Sequence, residues 1–126
     1  MKITIGSFIL QQLHALNVDR IYGVPGDYNL SLLELLESDD RLAFIGNCNE
    51  LNAAYAADGY ARMKGAGALI VTYGVGDLAA LSGIAGAYAE SSPVVCIAGT
   101  PPLHAMKNHQ LLHHTLGDGN FDNVMN

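Results

Sequence analysis

The chain has no tryptophan, two cysteines, four prolines and only six basic residues among 126. Each scarcity removes a class of protein. Six scattered cations against twelve carboxylates leave a net charge of −6. No basic stripe meets a phosphate backbone, which excludes nucleic acid as the partner. Cys48 and Cys96 are too few for a disulfide framework. Each lies beside or inside an apolar run and reads as a small buried hydrophobe of a reduced, cytoplasmic protein. The opening Met1-Lys2-Ile3-Thr4 has no apolar run of signal-peptide length, and no segment has the length and hydropathy to span a membrane.

What is present is apolar and alternating. Half the residues are hydrophobic and 14% are charged, a balance that builds a core rather than a disordered chain. The length fits one domain, burying roughly two-thirds of its unfolded surface. Thr4 can cap a first helix with its apolar face on Ile5, Phe8, Ile9, Leu13 and Leu16. Asn17 ends it, and Arg20 to Val24 reads as a strand. After the Pro25-Gly26-Asp27 turn, a helix spans Leu30 to Glu37 with Leu32, Leu33, Leu35 and Leu36 inward. Leu42 to Gly46 is the second strand and Glu50 to Lys64 the third helix. Gly65-Ala66-Gly67 leads into a strand over Ala68 to Tyr73. A helix follows over Asp77 to Glu90, then a strand over Val94 to Ala98 and a long loop with at most a short helix.

Strands alternating with helices predict an α/β domain with a parallel sheet flanked by helices on both faces. Continuous apolar strands fit a sheet covered on both sides. The carboxyl ends of such strands share one edge, where open α/β sheets bind ligands. Pro25-Gly26-Asp27, Asn49-Glu50, Gly74-Val75-Gly76 and Gly99-Thr100-Pro101 therefore meet there. Asp27 and Glu50, distant in sequence, become expected neighbours.

The organising stretch is Asn47 to Arg62. Asn49 is a good N-cap, and Glu50 falls in the first helical turn, where the macrodipole favours a negative charge. Such a position can serve as a cap alone or present a carboxylate to a ligand. Gly74-Val75-Gly76-Asp77-Leu78-Ala79 matches the dinucleotide pattern G-x-G-x-x-A but follows the third strand, with no ribose-binding acid after the next one. Close approach to a flat ligand, or helix packing, suits these glycines better. His104, His109, His113 and His114 lack the framework of a zinc site, so no metal is assigned to them. A His-His pair in a loop at a ligand edge suits proton transfer near neutral pH. Gly117-Asp118-Gly119 reads as a turn rather than a magnesium-diphosphate motif.

Taken together, five segments carry a resemblance. They are Gly23-Val24-Pro25-Gly26-Asp27-Tyr28-Asn29-Leu30, Cys48-Asn49-Glu50-Leu51-Asn52-Ala53, Ala56-Ala57-Asp58-Gly59-Tyr60-Ala61-Arg62, Gly74-Val75-Gly76 and His113-His114-Thr115. In order and spacing, from about Ile5 to Phe121, the chain resembles the pyrimidine-binding (PYR) domain of thiamine-diphosphate-dependent 2-oxo acid decarboxylases, pyruvate and indolepyruvate decarboxylases among them.

That resemblance implies a role for each edge residue. Glu50 would hydrogen-bond the aminopyrimidine ring nitrogen and favour the tautomer that takes the thiazolium C2 proton. Asp27, His113 and His114 would manage protons on the intermediate and the departing aldehyde, while Pro25 and Val75 would line the pyrimidine. Thiamine diphosphate and Mg2+ are the implied cofactors, with the metal and diphosphate ligands outside this chain. The implied partners are a 2-oxo acid and the diphosphate-binding domain of another subunit, in a homo-oligomer.

The resemblance implies that residues 1–126 are a truncated PYR domain, without the middle and diphosphate-binding domains. A fragment inactive by itself is expected. Small residues on the fourth helix, Ala79, Ala80, Gly83, Gly86 and Ala87, suit either tight packing within the domain or a subunit interface. The competing function is a free-standing binding module on the same scaffold. Four ionisable groups on one edge favour chemistry over mere binding.

Overall fold

The computed structural model describes residues 2–114. In chain order the elements are α1 (Ile5–Ala15), β1 (Arg20–Gly23), α2 (Leu30–Glu37), β2 (Ala43–Gly46), α3 (Glu50–Lys64), β3 (Gly67–Thr72), α4 (Val75–Ala89), β4 (Val94–Gly99) and α5 (Leu103–Lys107). Local chemistry sets the boundaries. The Thr4 hydroxyl accepts from the Ser7 N–H at 3.1 Å to open α1, and Asn17 at φ 66° turns the chain away after it. The Asn49 side chain accepts from the Asn52 N–H at 2.9 Å to open α3, and Gly65 at φ 95° closes it.

The four strands form one parallel sheet in the order β2-β1-β3-β4. Sequence order reverses direction between β1 and β3, so the loops leaving those two strands flank the topological switch point. Alternate residues of β3 supply both faces. Ala68 and Ile70 join Leu10, Leu13, Val18, Ile21, Leu33 and Leu36 under α1 and α2. Leu69 and Val71 join Ala53, Ala54, Ala57 and Ala80 under α3 and α4. Helices on both faces are thus observed.

Three expectations need correction. Only β3 is buried along its whole length; β2 and β4 are partly exposed because they are the sheet edges. The buried residues of α1 are Leu10 and Leu13, whereas Ile5 is 80% exposed and Phe8 and Leu16 are about half exposed. The three, one, four, three spacing was compatible with a face rotated from the real one. Leu10, left out of that face, reaches the core alongside Leu13. Cys48 is exposed, because it sits in the turn after β2 rather than within the strand.

Candidate active site

The loop leaving β1 is clamped before any ligand arrives. Asn29 is almost fully buried, donates to the Val24 carbonyl at 3.0 Å and accepts from the Gly26 N–H at 2.9 Å. This one amide closes residues 24–29 into a turn and projects Asp27 and Tyr28 from the switch point. Its role was invisible in the sequence, where Asn29 read only as the residue before a helix.

Glu50 stands at the start of α3, which packs over β1 and β3. That crossing carries it from the end of β2 toward the residues that follow β3. A Cβ built on Gly76 would lie 3.4 Å from Glu50 Oε1 and 2.8 Å from Thr72 Oγ1. Any larger residue at position 76 would therefore fill the space beside the carboxylate. Gly74, at φ 73°, brings the chain round after β3 and lies directly against the carbonyl of His114.

Asp27 and His113 meet, with Oδ2 3.3 Å from Nε2. On its other side His113 Nδ1 is 3.2 Å from the Tyr28 hydroxyl, and the two rings stack with centroids 4.7 Å apart. Tyr73, whose side chain is buried, donates its hydroxyl to the His113 carbonyl at 2.8 Å. Burial foremost, with Tyr28 alongside, pushes the Tyr73 phenol up to about 12, so it stays a donor at every working pH. His114 completes the ring cluster, edge-on to His113 at 4.8 Å, with its Nδ1 buried and without a hydrogen-bond partner among the described residues.

The expected meeting of Asp27 and Glu50 is indirect. Gly26 lies against the Thr72 methyl group and Gly76 against the Thr72 hydroxyl, so buried Thr72 links the two halves of the edge. His113 and His114 join the Asp27 half, and Val75 opens α4 half-exposed on the Glu50 half. Pro25 is exposed at the start of the β1 loop. His109 takes φ 48° in the loop after α5. Gly117-Asp118-Gly119 lies outside the described residues.

Tyr28, Thr72 and Tyr73 were missed because their importance lies in contacts across 40 or more residues. The available signal was the position of Thr72 and Tyr73 at the carboxyl end of β3 and of Tyr28 in the loop that leaves β1. A surface groove of about 490 Å³, lined by Ser7, Gln11, Ser38 and Arg41 among others, opens at the opposite end of the sheet. It holds none of this chemistry.

Residues 3–121 match the family model described as thiamine pyrophosphate enzyme, N-terminal TPP binding domain. The chain belongs to this family. Pyruvate decarboxylase isozyme 3 of Saccharomyces cerevisiae is 53% identical over 120 residues, covering 95% of this chain and 21% of the relative. An alpha-keto-acid decarboxylase of Mycobacterium leprae is 51% identical over 97% of this chain and 21% of its own length. A pyruvate decarboxylase of Hanseniaspora uvarum is also 51% identical, over 96% and 22%. The chain therefore spans about a fifth of the length of these relatives.

The edge fits the pyrimidine half of the family's cofactor on its own evidence. The Glu50 side chain makes no hydrogen bond among the described residues, is half-buried, and borders the bare backbone of Gly76. A flat heteroaromatic ring with a ring-nitrogen donor suits an open acceptor beside a glycine. Among the described residues no three His, Cys, Asp or Glu side chains gather as a metal site would require.

Proposed function

We propose that this domain holds the aminopyrimidine ring of thiamine diphosphate within a magnesium-dependent, non-oxidative 2-oxo acid decarboxylase, which converts pyruvate or indolepyruvate to an aldehyde and carbon dioxide. The observation that carries the reading is the uncommitted Glu50 carboxylate at the α3 N-terminus beside Gly76. When bound, the cofactor supplies the electron sink that decarboxylation of a 2-oxo acid needs. Glu50 accepts from the ring nitrogen and holds that proton in place. Pro25 and Val75 flank the ring and keep water from it. Asp27 and His113, 3.3 Å apart, exchange a proton above the switch point, and His114 offers its half-buried imidazole beside them.

The diphosphate and magnesium belong, in this reading, to a diphosphate-binding domain of another subunit in a cytoplasmic homo-oligomer. The α4 surface supports that assembly. Ala80, Gly83 and Ala87 face inward, Gly83 directly onto Ala54, while Val75, Leu78, Leu81 and Tyr88 stay exposed, Tyr88 by 87%. The 126 residues alone are then expected to release no carbon dioxide and to bind thiamine diphosphate weakly. The test is carbon dioxide release from a panel of 2-oxo acids by the complete protein containing this domain, with thiamine diphosphate and magnesium. Release that is indifferent to Glu50→Gln sinks the proposal and leaves the binding-module reading.

A further inference from the structure

Tyr28 stands between two groups of the proposed site without belonging to either. Its hydroxyl lies 3.2 Å from His113 Nδ1 and 3.4 Å from the His113 carbonyl oxygen. Tyr73 already donates to that carbonyl at the shorter distance of 2.8 Å. The Tyr28 hydroxyl also bonds that of Tyr73, so it is the carboxylate facing Nε2 that leaves Nδ1 as the accepting nitrogen and places the Tyr28 hydrogen on it. An imidazole that accepts at Nδ1 carries its proton on Nε2, and Nε2 is the atom 3.3 Å from Asp27 Oδ2. The opposite tautomer would set the Nε2 lone pair against a carboxylate. The two ring-nitrogen contacts thus agree on one assignment of the proton.

We propose that Tyr28 is a positioning residue that fixes the Nε2–H tautomer and the orientation of His113, so that its proton faces Asp27. This rests on the functional reading above, because it deepens the role given there to the Asp27–His113 pair. The same hydroxyl serves the charged ring. With a proton on Nδ1, Tyr28 accepts from Nδ1–H and turns its own hydrogen to the His113 carbonyl 3.4 Å away, which can accept from Tyr28 and Tyr73 together. No covalent bond between heavy atoms changes. The stacked phenol holds the plane of the imidazole in both states, with centroids 4.7 Å apart and planes at 25°. The titratable groups facing His113 are Asp27, Tyr28, Tyr73 and His114.

The direct test is nitrogen NMR of the chain with labelled histidine. His113 in the unsubstituted protein is expected to show the Nε2–H pattern. Tyr28→Phe, which keeps the ring and the stack, is expected to shift the tautomer ratio by about fivefold toward Nδ1–H. A predominantly Nδ1–H ring in the unsubstituted chain overturns the proposal and needs no variant. In the complete enzyme Tyr28→Phe is expected to lower kcat by about fivefold, leave KM unchanged and move the pH profile of kcat. An unmoved ratio and an unmoved profile overturn it as well. The two readings fail separately: loss of the decarboxylase reading appears as indifference to Glu50→Gln, whereas the tautomer is read without turnover.

Discussion

The two ends of the sheet are opposites in how their polar groups are satisfied. At the amino end, Tyr60 donates to Asp19, Lys64 reaches Asp19 at 3.4 Å, and Arg41 grips Asp39 through two guanidinium bonds of 2.8 and 2.6 Å. Arg62 pairs with Asp58 at 3.0 Å and reaches Glu90 at 3.5 Å, tying the ends of α3 and α4 together. At the carboxyl end, among the described residues, Glu50 has no side-chain hydrogen-bond partner, His114 Nδ1 is buried without one, and so is Oδ1 of Asp77, a residue 7% exposed. Asp27 and His113 have only each other as an ion pair, both largely exposed. One end closes on itself and the other is left for something else to complete. Unmade hydrogen bonds at a sheet's ligand edge cost stability and mark where a ligand or neighbouring domain can repay it.

The largest effect that tests this contrast is on chemistry. Glu50→Gln in the complete enzyme should cut carbon dioxide release by about a hundredfold or more, while the melting temperature of the domain stays within about 1 °C. A large fall in stability would show that Glu50 belongs to the closed, structural set. The reverse pattern is expected from Tyr60→Phe. Losing its bond to Asp19 should cost about 1 kcal/mol, seen as a melting point lower by about 4 °C, with activity unchanged.

A smaller effect of opposite sign is expected at Asp77. Replacing a buried carboxyl whose Oδ1 has no partner, as in Asp77→Ala, should raise stability by about 1 kcal/mol in a denaturant titration of the chain. A loss would mean that Asp77 is satisfied and the two ends differ less than described.

The smallest effect is a pH dependence. The Arg41 guanidinium holds the Asp39 carboxyl down to about 2, against its usual 3.8. A group depressed in the folded state stabilises above its unfolded value and loses that contribution as pH falls through the folded one. Stability should therefore decline between about pH 4 and pH 2, and Arg41→Ala should flatten part of that arm. Cys96 offers a control, since burial first and Asp77 second push its thiol up to about 11. It should resist alkylation at pH 8 that modifies exposed Cys48.

Much of the fold was legible because the signals were local. The α3 boundaries fell where Asn49 and Gly65 placed them, and four parallel strands followed from alternation with helices. The shared edge was legible too, as a consequence of parallel topology. The α1 face was not, because an apolar-rich helix admits more than one inward face and only Leu10 and Leu13 meet the sheet. Nor was Cys48, which lies two residues past the end of an edge strand and is exposed rather than buried.

The sequence by itself determined the alternation, the caps, the glycines after β3 and the ionisable residues that end on one edge. Periodicity and capping act within a few residues, so they survive without a structure. Only the tertiary structure decided who partners whom. It set Tyr28 and Tyr73 around His113, placed Thr72 between the Asp27 and Glu50 halves, and left Glu50 open beside Gly76. Those contacts join residues up to 85 positions apart. Their geometry depends on strand order and helix packing, which no short window of sequence contains.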